Sequence, residues 1–254
     1  MIEFKNTDVK IGKRTLLKDA ALTINDGEIT VILGKNGSGK TTLLSTVFLT
    51  RDRGTAEKIS IDGTPLPSLS KREVASLVSL MPQVLPTPKM SVRELVELGI
   101  SAKKGPFSTL TDEEKRRVES AISALGLSDL SDSLVHDLSG GERRRAFFAL
   151  ILAREGKNVI LDEPYDSLDP PSRSDLHRFI RMLKEEGRAT AIVMHDLSDA
   201  VGIADKIYVL DQKRVSRAMT PDEFCSSDIP ERVFSSRPYK LSTENGEITV
   251  FTPK

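Results

Sequence analysis

The chain has 254 residues, room for one large α/β domain or one such domain carrying an inserted subdomain. Hydrophobic residues make up 38% and charged residues 29%, and the 37 Lys plus Arg offset the 37 Asp plus Glu, a globular composition that speaks against wholesale binding to nucleic acid or anionic lipid. A single cysteine, Cys225, excludes an internal disulfide framework, Met1–Lys5 lacks the apolar core of a secretory signal, and no apolar run approaches the roughly 20 residues that span a bilayer, so a membrane role has to run through a partner.

In chain order, Ile2 and Phe4 alternate as one side of a short strand, and Ala21–Ile24 reads as another, after Lys18-Asp19 and before the turn signal Asn25-Asp26-Gly27. Ile29–Leu33 is an apolar, β-branched run of strand length, as expected of a strand buried on both faces. It feeds a glycine-rich loop and a helix from Thr41 to Leu49. The middle third reads as helical. Ser70 with Glu73, Ser91 with Glu94 and Thr111 with Glu114 have capping-box spacing, and Val118, Ala121, Ile122 and Leu125 form a helical stripe. Punctuated by Pro86, Pro88, Gly99, Gly105 and Pro106, this region predicts a small helical subdomain inserted into the α/β domain. Strands return at Val159–Leu161, Ala191–Met194 and Ile207–Leu210, with a helix over Ser172–Glu186 that Pro170-Pro171 precede and Gly187 terminates. Strand, helix, strand in that order implies a parallel sheet. Asn245-Gly246 predicts a terminal hairpin.

Gly34-Lys35-Asn36-Gly37-Ser38-Gly39-Lys40-Thr41 fits the G-x-x-x-x-G-K-[ST] pattern between strand and helix. A triphosphate needs several backbone N–H groups converging on one anion, which glycines permit by their φ range and lack of side chain. Lys40 adds a full charge for the β- and γ-phosphates, and Thr41 a hydroxyl for Mg²⁺. By composition alone about one chain in a hundred of this length would match by accident, and the strand-to-helix context lowers that further. Val159-Ile160-Leu161-Asp162-Glu163 sets two carboxylates at the carboxyl end of a buried strand, where ligand sites of open α/β sheets form. Asp162 would hold Mg²⁺ and Glu163 would polarise the attacking water. His195 ends the next apolar run, in position either to touch the γ-phosphate or to bond the start of the next helix. Leu138-Ser139-Gly140-Gly141-Glu142 opens a helix, either as an ordinary cap or as a second phosphate site that one nucleotide per chain cannot use alone.

Together these segments resemble the ATPases of ABC transporters along nearly the whole chain. The resemblance implies a P-loop NTPase (RecA-like) α/β core with an N-terminal antiparallel β subdomain and an inserted helical subdomain. Residues 1–254 would form one such domain, with the insert at approximately 86–150 and a C-terminal β-hairpin extension at approximately 235–254. Gly34–Thr41 resembles the Walker A loop, with Thr42 in its usual extension. Gln83 is similar to the glutamine that contacts Mg²⁺ and signals to the membrane partner. Ser139, Gly140, Gly141 and Glu142 belong to the family signature, Asp162 and Glu163 to the Walker B aspartate and catalytic glutamate, Ser167-Leu168-Asp169 to the D-loop, and His195 to the switch histidine. Thr41, Gln83 and Asp162 are then the metal residues, and Glu163, His195, Lys40 and Gln83 the catalytic ones. The resemblance further implies ATP and Mg²⁺ bound in a sandwich of two copies, with Ser139–Glu142 and Asp169 reaching the partner's nucleotide. Its expected partner is an integral-membrane permease, placing the chain in the cytoplasm on the inner face of the membrane, with an external binding protein if the system imports. Nucleic acid is not among the partners.

Arg72-Glu73-Val74-Ala75, running into Leu80-Met81-Pro82-Gln83, together with Ser91–Gly99 and the terminal hairpin, is most similar to the importers of iron chelates, haem and cobalamin, although Ile100-Ser101 stands where those often have arginine and proline. Ile11 occupies the place of the aromatic that stacks on adenine, Tyr165-Asp166 that of Thr-Ser, and Arg144 that of a glutamine. The run Arg143-Arg144-Arg145 reads as a partly solvated helix face with one or two internal partners. Two other readings stand beside transport: an ATPase acting on a soluble complex such as iron–sulfur assembly, and a nucleotide sensor, which the presence of Glu163 disfavours.

Overall fold

Short alternating apolar runs here build two sheets with different jobs. The computed structural model describes residues 1–11, 14–49, 55, 57–101, 109–154, 156–166, 168–243 and 246–253, and of Ile11, Leu49, Ser101, 241–243 and 246–248 the backbone alone. The first sheet is antiparallel, in the order β2-β1-β4-β5, from β1 (Ile2–Ile11), β2 (Arg14–Ile24), β4 (Ile59–Ile61) and β5 (Thr64–Pro65). The opening strands are longer than their alternation predicts. Lys18 and Asp19 lie inside β2, whose ladder with β1 shifts register three times, and Asp19 adopts φ +47° with its N–H donating to Asp8 Oδ1 at 3.0 Å. Bulges broke the period that the sequence displays. Asn25–Gly27 leads from this sheet into the next and joins no paired strands.

The second sheet has the order β10-β9-β3-β8-β7-β6: β10 (Arg214–Val215), β9 (Lys206–Asp211), β3 (Ile29–Gly34), β8 (Ala189–Val193), β7 (Asn158–Asp162) and β6 (Val78–Met81). All of its pairings are parallel except β10 with β9. β6 corrects the all-helical reading of the middle third. Four residues are too short to display a period, but pairing with β7 buries Val78, Ser79 and Met81. Buried strands here send alternate residues to opposite faces. Val31, Leu33, Val159, Leu161 and Ile192 join a core with the helices, while Ile32, Ile160, Ala191 and Val193 pack toward the antiparallel sheet.

The helices follow their caps. Helix α1 (Lys40–Leu49) leaves the glycine loop directly, and α2 (Lys71–Leu77) and α4 (Asp112–Ala124) start on the expected capping boxes. At α3 (Val92–Ser101) both halves of the Ser91/Glu94 box are present, at 2.7 and 3.1 Å. Helix α5 (Gly140–Ala153) begins on Ser139, whose hydroxyl accepts from Glu142 N–H. Helix α6 (Pro170–Glu185) starts two residues before the expected Ser172, because Asp169 caps it and proline suits the first turn, and Gly187 follows it at φ +71°. The chain ends through α7 (Leu197–Ile203), α8 (Pro221–Ser226), α9 (Ile229–Phe234) and a hairpin of β11 (Ser236–Thr243) and β12 (Gly246–Pro253). Asn245 and Gly105-Pro106 lie outside the described residues. β12 packs on α7, and Phe251 meets Phe224 with ring centroids 6.0 Å apart.

Three contacts fix α5. Phe148 stacks on Phe179 of α6 at 4.1 Å. Gly99 of α3 lies so close that a Cβ there would sit 2.6 Å from the Leu150 carbonyl oxygen. Arg188, just before β8, donates to the Ile151 and Leu152 carbonyls at 2.7 and 3.0 Å, capping the helix's C-terminal end with a buried guanidinium whose Nε donates to Glu186.

Candidate active site

The carboxyl ends of β3, β6, β7 and β8 open along one edge of the parallel sheet, the edge where open α/β sheets bind ligands. From β3 comes the glycine loop. Gly34 has to be glycine, because a Cβ would meet Ser38 Oγ at 2.5 Å and the Leu210 carbonyl at 3.0 Å. Gly39 turns at φ +102°, a conformation closed to L side chains. Lys40 is buried at 4% exposure, its ammonium donating to the Gly34 carbonyl at 2.8 Å and the Lys35 carbonyl at 3.4 Å. Burial lowers its pKa, against the opposing pull of Glu163, Asp162 and Asp166.

Two carboxylates come from the end of β7. Asp162 Oδ1 accepts from the Thr41 hydroxyl at 2.8 Å, and burial raises its pKa. Glu163 sits at φ +48°, its N–H donating to the Val193 carbonyl at 2.9 Å, and Oε1 lies 3.8 Å from Lys40 Nζ. Burial raises its pKa too, with Lys40 opposing and Asp166 adding to the rise. Gln83, two residues beyond β6, donates to Glu163 Oε2 and Asp166 Oδ2, both at 2.9 Å. His195 follows β8, half exposed, with Nδ1 3.7 Å from Asp166 Oδ1. It does not cap the next helix; Asp196 does, accepting from Asp199 N–H.

Asn36, Gly37, Gly39, Lys40, Thr41, Thr42, Gln83, Glu163 and His195 thus line one cleft of about 550 Å³, with Leu16 and Asp166 added. Sequence reasoning missed those two as site residues. Asp166 figured only as a departure from a pattern, although a third acid four residues after Asp162 was a signal. Ser139, Gly140, Gly141, Glu142 and Asp169 line a second, larger cavity of about 970 Å³, and the two cavities share Gln83 and Asp166. Ser139 and Glu142 are engaged with each other, at 2.9 and 3.3 Å, and Asp169 with the start of α6. Ile11 ends β1, and its side chain, like Ser167, falls outside the described residues.

The cleft fits a magnesium triphosphate. The Ser38 hydroxyl is buried in the loop without a hydrogen-bond partner, the Thr41–Asp162 pair offers hard oxygen donors of the kind Mg²⁺ takes, and Lys40 supplies a dry positive charge. Chemically, the edge can hold an anion on backbone and lysine while a carboxylate faces it.

A family model described as ABC transporter matches residues 17–166, more than half of the chain. The petrobactin import ATP-binding protein YclP of Bacillus subtilis is 30% identical over 99% of both chains. The ferric enterobactin transport ATP-binding protein FepC of Escherichia coli is 34% identical over 89% of this chain and 84% of its own. Among solved structures, cbiO1 of Clostridium perfringens, part of the ABC transporter complex cbiONQ, superposes with TM-score 0.75 at 26% identity, covering 91% of this chain and 93% of its own. A chain of an inward-facing metal-chelate type ABC transporter shares the fold at TM-score 0.84 and 22% identity, over 100% of this chain and 97% of its own. Among the described residues no helix is long and apolar enough to cross a membrane. The chain belongs to the ABC transporter family, as a subunit that binds and hydrolyses ATP to power transport.

Proposed function

We propose that this subunit drives import of an iron chelate, haem or cobalamin, as two copies of the chain docked on an integral-membrane permease at the inner face of the membrane, with an external binding protein delivering the cargo. The observation that carries this reading is the end-to-end similarity to petrobactin import ATPase YclP, joined by the hemin import ATP-binding protein HmuV of Rhizobium meliloti at 32% identity. Residues 1–254 then act as one ABC ATPase domain, with approximately 86–150 as the helical insert facing the permease and approximately 235–254 as an appended hairpin.

In this reading the glycine loop from Gly34 through Thr42 wraps the triphosphate and Lys40 neutralises it, while Ile11 lies beside the base. Thr41, Asp162 and Gln83 hold Mg²⁺, which when bound polarises the phosphates. Glu163, its carboxylate made more basic by burial, takes the proton of the attacking water, and His195 steadies the γ-phosphate edge. Ser139, Gly140, Gly141, Glu142 and Asp169 close the site of the second copy, which agrees with their lining a separate cavity.

Two experiments test the reading. Lys40→Ala should lose ATP affinity by roughly 10²-fold or more in calorimetry, since it removes charge-assisted bonds from a dry site; unchanged affinity would sink the cleft assignment. Affinity purification from gently solubilised membranes should bring down a polytopic permease. Recovery of a soluble assembly and no membrane protein would reject the transport partner while leaving the ATPase intact.

A further inference from the structure

Asp162, Glu163 and Asp166 gather around one lysine, and a triphosphate adds more negative charge to the same cleft. Lys40 is already held by two loop carbonyls and lies 3.8 Å from Glu163. Asp166, like Glu163, has two side-chain neighbours in the cleft. One oxygen takes a Gln83 amide hydrogen at 2.9 Å, the other faces His195 Nδ1 at 3.7 Å, and its ligand atoms fall within 4.8 Å of those of Glu163 and His195. Asp166, unlike Asp162, stands outside the metal-holding set Thr41, Asp162 and Gln83.

A candidate cation stands in the neighbouring cavity. Arg144, one turn into α5, is half-buried with Nε buried and without a hydrogen-bond partner. Arg143 Nε beside it is in the same condition and Arg143 lines the same cavity, but Arg144 is the one that feels the charge of Asp166. Among the described residues no carboxylate lies within ion-pair distance of Arg144, whereas its neighbour Arg145 pairs with Asp175 at 3.0 Å. Arg144 and Asp166 line the same cavity with Gln83. Burial lowers the Arg144 pKa; the charge of Asp169 offsets part of that, Arg143 adds to the fall, and the charge of Asp166 offsets a smaller part. Arginine replaces a neutral glutamine at 144 and aspartate a neutral serine at 166, relative to the pattern this chain resembles. The two departures have opposite sign and face one space.

We propose that Arg144 and Asp166 act as one charge pair across this cavity, Arg144 offsetting the carboxylate that Asp166 adds beside the triphosphate, so that Asp166 can position Gln83 and His195. Both are positioning residues, and the pair rests on assigning the cleft to ATP.

The test is a double-mutant cycle in the full-length chain, reading MgATP Kd and kcat for the wild type, Arg144→Gln, Asp166→Ser and the double variant. Arg144→Gln, leaving Asp166 uncompensated, should weaken ATP binding about tenfold, the size of coupling found within one charge network. Asp166→Ser should leave ATP affinity equal to or tighter than that of the wild type and lower kcat about tenfold, as Gln83 and His195 lose their common anchor. In the Asp166→Ser background the second substitution should change Kd by less than about twofold. An equal loss from Arg144→Gln in both backgrounds overturns the pair. Arg144→Lys keeps the charge and should retain affinity; a loss as large as that of Arg144→Gln also overturns it. Failure of the wild type itself to bind MgATP would overturn the cleft assignment instead.

Discussion

Glu163 turns the chain at φ +48°, a left-handed conformation that costs a non-glycine residue of the order of 1 kcal/mol, and holds it there with an N–H bond to Val193. That turn carries the carboxylate off the end of β7 toward Lys40 and Gln83. Glu163→Gln should therefore cut turnover by roughly 10²- to 10⁴-fold in a phosphate-release assay while ATP binding persists. The same substitution has a pH signature. Burial raises the Glu163 pKa, so the folded protein favours the protonated acid. Ionisation then costs stability: nothing below the ordinary carboxylate range near 4, growing as pH rises toward the raised folded value, and constant above it. Nucleotide-free Glu163→Gln should melt about 1–3 °C above wild type at pH 7, with the gap closing below about pH 4. A gap that widens toward acid would contradict the burial argument. The residues gathered at this edge were legible because fixed spacing within a strand–loop–helix fixes geometry. Asp166 was not, since its importance comes from Gln83 and His195, distant in sequence and adjacent only across the sheet edge.

Elements pack here through a few close approaches. Gly99→Ala would put a Cβ 2.6 Å from the Leu150 carbonyl, so α3 and α5 must separate, costing about 1–3 kcal/mol in denaturant unfolding. An unchanged midpoint would mean the helices have slack. Arg188→Ala would uncap the Ile151 and Leu152 carbonyls and should cost about 2–3 kcal/mol; Arg188→Lys, lacking the planar fork, should recover only part. Equal stability of the lysine variant and the wild type would refute the bidentate cap. Caps written in local sequence were the readable part: Ser70/Glu73, Ser91/Glu94 and Thr111/Glu114 all start helices. Two further boxes, Ser139/Glu142 opening α5 and Thr220/Glu223 opening α8, have the same spacing in the sequence. β6 was unreadable in a different sense, because four residues acquire strand identity only from β7 beside them.

For the molecule as a whole, the parallel sheet is the shared wall between two cores, one with the helices and one with the antiparallel sheet. The terminal hairpin lines neither of the two cavities and contacts α7 and Phe224. Deleting residues 236–254 should expose Phe224 and lower the melting temperature by several degrees, about what 1–2 kcal/mol means at this size, while MgATP affinity stays within about twofold. Loss of binding would give the hairpin a part in the site. Strand-helix-strand order gave the parallel core in advance, whereas the lengths of β1 and β2 were hidden by bulges. The Arg188 cap has one more consequence. Helix α5 is a 14-residue rod, about 21 Å long, with the small residues Gly140 and Gly141 at its tip and its far end hooked to the strand that leads to His195. Pinned there, it is a lever with its fulcrum at Arg188, and a tilt of about 10° sweeps the tip through about 3.7 Å, more than the length of a hydrogen bond. A tilt of that size about the Ile151 end would be enough to make or break a hydrogen bond at Gly140 and Gly141.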